Sequence, residues 1–552
     1  MGLRMGIYPV REEMGKQDIS MAASIKIYPM QERTIGKILD DKARLNQDKV
    51  FLFYEDQKIT YQQLNERANI ASNAFLYLGV KKHDKVALLM ENCPEFLYTW
   101  FGLAKIGAWT IPINVALKGE GLAYIINHCD AATMVISLPF LENLNFIRKD
   151  LKNIKKIIVD PQSQRGGLET KGEIILWSDF FRASTEPPPV ELKHDDWMMI
   201  VYTAGTTGLP KGVLKAQSYS FTSGLSIASF AQATPEDRFY TTLPLFHINA
   251  QNVTTWAALA ADASTVLAKR FSARQFWDDI RKYQVTITSF LGAMIPILVK
   301  QPEREDDSEN PLRVGLSAGT PAAFWELFEG RFQVKILELY GSSEGGSLRN
   351  YEGKIGSMGK PIPSNLAKVV DGQDRELSAY QSGELIFKFI DPLIRLPEYY
   401  KMPEATAEKT RGGWLRTGDY AYTDEEGYLY FVDRKKDAIR RRGENISSYE
   451  VEKIISSHPD VLESAAVGVP AEMGEDEVKI YVVRKPGRSL TPEELVAYCE
   501  PRMAYFMIPR YVEFMDALPK TTTEKVLKAA LKESGLNPNT WDREKAGYRV
   551  RR

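Results

Sequence analysis

The sequence has few cysteines, no excess of either charge and no long apolar run. Three cysteines (Cys93, Cys129 and Cys499) in 552 residues form no disulfide framework, which indicates a reducing compartment. No neighbouring Cys or His turns the adjacent His128 and Cys129 into a set of metal ligands. The 71 basic and 72 acidic residues balance, so net charge does not favour nucleic acid or an acidic membrane as a partner. No apolar run approaches the roughly 18 residues of a membrane helix. These absences predict a cytoplasmic protein with no membrane span and no nucleic-acid partner.

The chain alternates short apolar runs with helical periods from about residue 50 onward. "KVALLM" (85–90) and "AWTIPI" (108–113) are typical of strands, and the segment between them is typical of an apolar-faced helix. This alternation predicts an α/β fold with doubly wound sheets. After residue 350, "GELIFK" and frequent glycines indicate a β-rich subdomain. The first 30 residues contain charges and no continuous apolar segment, so we expect an irregular extension at 1–30 instead of a secretory signal.

A charged stretch, "DRKKD" (433–437), interrupts the strand-like "YLYFV" and marks a boundary. Beyond it, the spacing from Thr491 to Glu494 is typical of a helical capping box, and "VKIYVV" (478–483) alternates as strands do. We therefore predict a large N-terminal domain over 31–433, a link over 434–437 and a small α+β domain over 438–545.

A glycine-rich loop, "YTAGTTGLPKG" (202–212), follows the apolar run 198–201. Backbone N–H groups of such a loop can wrap an anion, small residues allow close approach, and Lys211 neutralises charge. Gly212 stands where a Walker loop needs Ser or Thr to reach magnesium. The threonines of the loop supply hydroxyl donors instead. The loop therefore predicts phosphate binding of a different kind from the Walker site.

Four further motifs follow this loop in order: "LELYGSSEGG" (337–346), "GWLRTGDYAYTDEEGYLYFVDRKKD" (413–437), "RRGENISSYEVE" (441–452) and "PKTTTEKVLK" (519–528). Together the five motifs resemble the adenylate-forming superfamily of acyl-CoA synthetases, peptide-synthetase adenylation domains and firefly-type luciferases. The resemblance spans about residues 35 to 535. It implies an AMP-binding N-terminal domain and a mobile C-terminal domain. It also implies a reaction in which a carboxylate attacks the α-phosphorus of MgATP and a second nucleophile then displaces AMP.

The resemblance implies a set of residues that bind ATP and AMP. They are Thr203, Gly205, Thr206, Thr207, Gly208 and Lys211 at the phosphates, Gly319, Thr320 and Tyr340 at adenine, Gly341, Ser342 and Ser343 in the motif after Tyr340, Asp419 at the ribose, and Arg434 at the ribose or a phosphate. Thr206 and Lys211 would also act in catalysis. Glu344 would hold Mg²⁺, which prefers carboxylate oxygen. Asp419 suits the two ribose hydroxyls because a carboxylate only accepts hydrogen bonds. For Tyr340, stacking on the base and packing in the core both stay open.

The resemblance also assigns residues to the two steps. Lys525 would bridge the carboxylate and the α-phosphate, although Glu524 precedes it where the family usually has Gly. Lys436 occupies the hinge position. After adenylation the segment around Gly443 would replace Lys525 and line the path of the CoA pantetheine arm. Arg441 and Arg442, with Arg440, would meet a CoA phosphate, or would form an exposed basic run.

His247 in "LPLFHINAQN" (243–252) stands where amino-acid-activating domains usually have Asp. It resembles the His of acyl-CoA ligases that gates the carboxylate. The segments 93–114 and 271–288 are most similar to those of carnitine and crotonobetaine–CoA ligases. We therefore expect an AMP-forming acid–thiol ligase that uses ATP, Mg²⁺ and CoA. Its small-molecule acid would be carnitine-like or crotonobetaine-like, or another short, medium-chain or aromatic carboxylate. A non-CoA acceptor, a catalytically silent nucleotide-binding regulator and a homodimer stay open.

Overall fold

A computed structural model describes residues 26–160, 173–203, 209–291, 294–434, 438–471, 474–519, 526 and 528–550 of the chain. Within these ranges no helix has the length and apolar character needed to cross a membrane. Strands and helices alternate through most of the N-terminal part.

The strands of the described residues fall into three N-terminal and two C-terminal sheets. The N-terminal strands are β1 (Val50–Tyr54), β2 (Gln57–Thr60), β3 (Lys85–Leu89), β4 (Trp109–Pro112), β5 (Thr133–Ile136), β6 (Lys156–Val159), β7 (Glu173–Leu176), β8 (Trp197–Thr203), β9 (Lys211–Ala216), β10 (Arg238–Thr241), β11 (Ser264–Leu267), β12 (Ile287–Leu291), β13 (Val314–Ala318), β14 (Lys335–Gly341), β15 (Ser347–Arg349), β16 (Lys360–Pro361), β17 (Asn365–Val370), β18 (Gly383–Phe389), β19 (Leu415–Thr423) and β20 (Leu429–Arg434). The C-terminal strands are β21 (Ala438–Arg441), β22 (Glu444–Ser447), β23 (Val461–Pro470), β24 (Asp476–Arg484), β25 (Tyr511–Met515) and β26 (Trp541–Asp542).

The α-helices of the described residues cover the faces of these sheets. They are α1 (Ile35–Leu45), α2 (Tyr61–Tyr77), α3 (Pro94–Lys105), α4 (Gly119–His128), α5 (Leu141–Phe146), α6 (Trp177–Phe180), α7 (Gln217–Phe230), α8 (Ala257–Ala260), α9 (Phe276–Lys282), α10 (Met294–Val299), α11 (Ala322–Phe332), α12 (Pro403–Lys409), α13 (Ser448–Ser456), α14 (Pro492–Cys499) and α15 (Lys528–Glu533). A π-helix at Asn249–Trp256 precedes α8.

Two large sheets form the N-terminal part. One has the order β7-β6-β5-β3-β4-β8-β9, and the other has the order β16-β15-β14-β13-β12-β10-β11-β1-β2. Neighbouring inner strands run parallel, whereas β2, β9, β15 and β16 add antiparallel edges. Because parallel neighbours need crossover connections, helices lie on the sheet faces. The predicted α/β fold with doubly wound sheets is confirmed.

The largest apolar core lies between these two sheets. Strands such as β4 are buried along their whole length, as expected for parallel strands with both faces covered. Trp100 on α3 and Trp256 at the end of the π-helix are both 0% exposed, and their ring centroids are 6.2 Å apart. The core extends to Tyr28, which is 1% exposed and packs against Phe221. The chain therefore joins the core within the stretch 1–30 that we expected to be an irregular extension.

A smaller antiparallel sheet, β17-β18-β19-β20, completes the N-terminal part and ends at Arg434. The predicted hinge residue Lys436 lies outside the described residues. The C-terminal part contains the hairpin β21–β22 and the mixed sheet β23-β24-β25-β26, packed with α13, α14 and α15. Thr491 and Glu494 form the predicted capping box at α14. The large N-terminal and smaller C-terminal parts agree with the predicted fold.

Candidate active site

The ends of the glycine-rich loop are held together by β8 and β9. These strands pair antiparallel, with Thr203 opposite Lys211, and the Thr203 Oγ1 donates to the Lys211 carbonyl at 3.4 Å. The two ends of the loop, Thr203 and Lys211, are therefore only one cross-strand spacing apart at the edge of the sheet. The predicted phosphate-binding residues Gly205, Thr206, Thr207 and Gly208 lie outside the described residues.

Tyr399 connects Lys211 of this loop to Glu344. The Lys211 Nζ lies 5.2 Å from the centroid of the Tyr399 ring, and the Tyr399 hydroxyl donates to Glu344 Oε1 at 2.7 Å. The chain around Tyr399 runs along β9, where the Tyr400 N–H donates to the Gly212 carbonyl at 2.8 Å. The predicted phosphate lysine and the predicted magnesium ligand therefore belong to one site.

The Glu344 carboxylate is held in its charged form. Burial would raise its pKa, but the nearby Lys409 charge, the Tyr399 hydroxyl and the more distant Lys215 together lower it below the usual range. Lys409 Nζ is 3.8 Å from Glu344 Oε1. Among the described residues no three His, Cys, Asp or Glu side chains cluster as metal ligands. A single hard carboxylate fits Mg²⁺ that is bound mainly by nucleotide phosphates and water.

The serine-rich turn after β14 places the residues before Glu344. Gly341 ends the strand, and the Ser342 Oγ donates to the Gly345 carbonyl at 2.7 Å. Gly345 has φ +132°, a conformation that favours glycine. Ser343 is half-buried between them. The turn therefore fixes the direction in which Glu344 leaves the strand.

Glu338 organises the loop that contains Gly319 and Thr320. It accepts hydrogen bonds from the Gly319 N–H and, at 2.7 Å, from the Thr320 Oγ1. Burial raises the pKa of Glu338 to about 7 despite these bonds. The loop adopts φ +81° at Gly319, which lies at the end of β13. Both predicted adenine-binding residues therefore share one carboxylate support on the neighbouring strand β14.

Tyr340 and Asp419 lie in direct contact. The Tyr340 hydroxyl donates to Asp419 Oδ2 at 2.6 Å, and its ring stacks on Phe387 with centroids 6.0 Å apart. Asp419 on β19 is opposite Arg434 on β20, whose side chain lies outside the described part. One face of the Tyr340 ring therefore packs against the protein interior at Phe387. The predicted adenine and ribose residues are brought to one place.

His247 contacts the C-terminal part of the chain through Glu444. Its Nε2 is 3.2 Å from Glu444 Oε1, and the Asn114 Nδ2 donates to the same oxygen at 3.4 Å. Desolvation would lower the pKa of His247, but the Glu444 carboxylate outweighs it and raises this pKa. Asn92 supports the preceding loop by donating to the Leu243 carbonyl and accepting from the Leu245 N–H.

Gly443 packs against the N-terminal part beside Glu444. It has φ +81°, and a Cβ at this position would lie 2.3 Å from Leu291 Cδ1 on β12. Arg440 points toward the predicted adenine loop, with its Nη2 4.0 Å from the position of a Cβ on Gly319. The segment 440–444 is therefore docked at the same site as His247.

The three arginines before Gly443 have different environments. Arg441 is 2% exposed, pairs with Glu477 at 2.6 Å and donates to backbone carbonyls of its own domain. Arg442 remains half exposed near Glu477 and Glu544. The interior position of Arg441 favours Arg440 and Arg442 over Arg441 for contact with a CoA phosphate. Lys525, the predicted catalytic lysine, lies outside the described residues.

Four supporting residues were not predicted from the sequence. Tyr399 and Lys409 support Glu344, Glu338 supports the adenine loop, and Glu444 meets His247. Glu338 and Glu444 lie within the motifs "LELYGSSEGG" and "RRGENISSYEVE". A carboxylate with no assigned role inside each motif was the sequence signal that could have identified them. Tyr399 belongs to "EYYKMPEATAEK" (398–409), whose paired tyrosines before a Pro-initiated helix were the only local signal.

Comparisons with known proteins identify the family of the chain. The family model described as AMP-binding enzyme matches residues 39–389, and the AMP-binding enzyme C-terminal domain matches residues 450–525. A crotonobetaine/carnitine–CoA ligase of Salmonella typhi is 35% identical over 519 residues, covering 91% of this chain and 99% of that protein.

Two solved structures share the fold along most of their length. The o-succinylbenzoate CoA synthetase MenE of Bacillus subtilis, bound with its product analogue OSB-NCoA, gives a TM-score of 0.76 at 25% identity and covers 90% of this chain and 98% of its own. ATP-bound MatB of Rhodopseudomonas palustris gives a TM-score of 0.65 at 25% identity, and the match covers 91% of this chain and 99% of that structure. The chain belongs to the AMP-binding enzymes and is an adenylate-forming acid–thiol ligase of the acyl-CoA synthetase class.

Proposed function

We propose that the protein activates a carboxylic acid as its acyl-adenylate, releases pyrophosphate, and then transfers the acyl group to CoA with release of AMP. The main support is the chain of contacts from Lys211 through Tyr399 to Glu344 and Lys409. It places two cations and one charged carboxylate beside the anchored ends of a glycine-rich loop. Such an arrangement suits a nucleoside triphosphate whose phosphate charge is partly neutralised by a hard cation.

In the first step the protein residues orient the two anions that must meet. Lys211 and the loop before it hold the departing phosphates, and Asp419 accepts hydrogen bonds from the ribose. Glu344 fits Mg²⁺, which would neutralise phosphate charge when bound. Lys525 bridges the attacking carboxylate and the α-phosphate, where charge develops in the transition state. Residues Thr203, Thr206 and Thr207 contribute hydroxyl donors to the same loop.

In the second step the segment 440–444 replaces Lys525 at the site. The docking of Gly443 on Leu291 and of Glu444 on His247 supports this assignment. We therefore assign the present arrangement to thioester formation, with Lys436 as the hinge. In this proposal Arg440 and Arg442, whose side chains are partly exposed, would contact the CoA phosphates.

The acid is a small carboxylate that reaches the α-phosphate past His247. The names of the curated relatives make crotonobetaine and carnitine the first acids to assay. Short, medium-chain and aromatic carboxylates complete the panel, because the family as a whole does not define one acid.

Pyrophosphate release tests the proposal directly. Purified protein with MgATP should release pyrophosphate only when a suitable acid is present, and CoA should convert the burst into steady turnover. Acyl-CoA should appear in equal amount with AMP. A burst without turnover on CoA would indicate another acceptor. ATP binding without acid-dependent pyrophosphate release would overturn the enzymatic proposal and favour a nucleotide-binding regulator.

A further inference from the structure

Lys215 is a buried lysine on the core-facing side of β9. Side chains alternate along this strand, and Leu214 packs into the outer core of its sheet. Lys215 therefore points the other way, toward α7, where its Nζ lies 3.9 Å from the centroid of the Tyr219 ring. Only 4% of the residue is exposed. A cationic group thus enters the interior between the two large sheets.

The other deeply buried lysines of the described residues each have a carboxylate partner. Lys42 pairs with Asp262 at 2.8 Å, Lys105 with Asp40 at 2.7 Å and Lys479 with Glu513 at 2.7 Å. The Lys215 ammonium forms no hydrogen bond or ion pair with any residue in the described part of the chain, and only the backbone of this residue is paired, in the ladder with β8.

The ring of Tyr219 attracts the Lys215 charge but leaves its three N–H donors unused. Burial lowers the pKa of Lys215 to about 7, although the Glu344 charge opposes this effect. Burying an ammonium group without a hydrogen-bonding partner is costly. A ligand that supplies an anion would remove this cost.

A second buried polar group lies next to Tyr219. The side-chain amide of Asn252, on the π-helix, is buried and interacts with the Tyr219 hydroxyl, and it forms no other hydrogen bond among the described residues. This amide neighbours the Tyr219 hydroxyl, whose pKa burial raises above its usual range. Lys215, Tyr219 and Asn252 together form what we call the Lys215 cluster.

The Lys215 cluster is on the inner side of the active site. Lys215 lies four residues beyond Lys211 on the same face of β9, a distance of roughly 13 Å along a strand. Asn252 follows His247 on the segment that gates the acid. The charge of Glu344 acts on both Lys215 and Tyr219. Because Lys211 marks the phosphate end, the far end of a bound acid is the part that extends toward Lys215.

We propose that Lys215 is a specificity-determining residue that binds a second carboxylate at the far end of the acid, so that the preferred substrates are dicarboxylic acids. The proposal rests on the ligase function proposed above. An anionic terminus would accept hydrogen bonds from Lys215 and Asn252, whereas an apolar terminus would leave the Lys215 ammonium without an acceptor. A quaternary ammonium would place a like charge beside Lys215. The cluster therefore selects against carnitine-like acids.

Three acids of equal length test the charge preference in the wild-type protein. Glutarate ends in a carboxylate, γ-butyrobetaine ends in trimethylammonium, and the neutral analogue of glutarate ends in an isopropyl group. Succinate and adipate control for chain length. Acid-dependent pyrophosphate release should give a kcat/KM for the best dicarboxylate at least on the order of 10²-fold above its neutral and cationic counterparts, the scale of one buried charge pair.

The variant Lys215→Met retains the length of the side chain and removes its charge. It should lower kcat/KM for the dicarboxylate by on the order of 10²-fold, raise that for the neutral acid, and leave KM for ATP unchanged. Lys105→Met is the matched control, because it removes an equally buried lysine that pairs with Asp40 and with no member of the Lys215 cluster. It should leave the order of acid preference unchanged. Thermal unfolding of both variants shows whether the fold is retained.

Several results would overturn the inference. One is a wild-type preference for γ-butyrobetaine or the neutral acid, and this arm needs no variant. Another is an equal loss on all acids with a raised KM for ATP in Lys215→Met, which would assign Lys215 to the nucleotide phosphates. Failure of the ligase function itself would look different, because no acid of any charge would then release pyrophosphate.

Discussion

The contact between His247 and Glu444 joins the N-terminal part to the segment 440–444, and Glu444→Gln tests its role. This substitution retains the shape of the side chain and removes its charge. If the docked arrangement serves thioester formation, acyl transfer from preformed acyl-adenylate to CoA should slow. Pyrophosphate release in the first step should keep its rate, because Lys525 and not Glu444 acts there.

The size of the effect follows from the exposure of the pair. Nε2 and Oε1 are 3.2 Å apart, and the His247 and Glu444 side chains are 42% and 20% exposed. Solvent therefore screens the interaction, and about 1 kcal/mol is the appropriate scale. Because 1.4 kcal/mol corresponds to a factor of ten, acyl transfer should slow about fivefold.

The same pair predicts a pH dependence of defined sign. Glu444 raises the pKa of His247 in the docked arrangement. The stabilisation is therefore fully present below the ordinary His pKa of about 6.5 and is lost as pH rises through the raised value. The ratio of acyl transfer to adenylation should fall over this rise in the wild-type protein. In Glu444→Gln this ratio should be flat.

Rapid-quench measurement of each half-reaction between pH 6 and 9 provides the assay. Glu493→Gln, an exposed carboxylate in the first turn of α14, is the matched control and should behave as the wild type. Equal slowing of both half-reactions, or an unchanged pH profile, would refute the assignment of Glu444 to the second step.

Three further substitutions separate the two steps. Tyr399→Phe removes the 2.7 Å hydrogen bond to Glu344 and should slow adenylation about tenfold, the scale for a hydrogen bond to a charged group. The adenylation rate, measured as a function of MgATP concentration, checks this. Lys525→Ala should slow adenylation by on the order of 10²–10³ while acyl transfer from supplied adenylate survives. Gly443→Ala should slow acyl transfer, because its Cβ would lie 2.3 Å from Leu291 Cδ1 at φ +81°; adding Leu291→Ala should relieve the clash and part of the loss.

Each of these three has a result that would contradict it. Unchanged adenylation in Tyr399→Phe would mean that the hydroxyl does not orient Glu344. Equal loss of both half-reactions in Lys525→Ala would argue against two arrangements of the C-terminal domain. A normal acyl-transfer rate in Gly443→Ala would mean that the contact with Leu291 is not used in the second step.

Local sequence patterns determined the type of fold and the positions of its motifs. The alternation of apolar runs and helical periods predicted doubly wound sheets, because strands buried on both faces must be apolar and need crossover helices. The spacing of Thr491 and Glu494 predicted the start of α14 for an equally local reason. Family resemblance assigned Lys211, Glu344, Asp419 and His247 to one candidate site, and in the structure Tyr399 contacts both Lys211 and Glu344.

Contacts between distant parts of the chain decided what local patterns missed. Asp307, in the charge-dense stretch 301–310, is 5% exposed and pairs with Arg331 at 2.7 Å. Arg441 belongs to an apparently exposed basic run, yet the alternation of β21 turns it inward onto Glu477. In both cases the ion-pair partner that offsets the cost of burying the charge comes from another element.

The sequence by itself therefore determined the secondary structure, the family and the order of the motifs, which depend on near neighbours along the chain. Only the tertiary structure decided that Tyr399 links Lys211 to Glu344 and that Glu444 meets His247. It also decided that Lys215 lies buried beneath α7 with no carboxylate partner among the residues that the structure describes. Burial and ion pairing depend on which surfaces pack together, and residues 55 positions apart or more, such as Glu344 and Tyr399, carry no local signal of that packing.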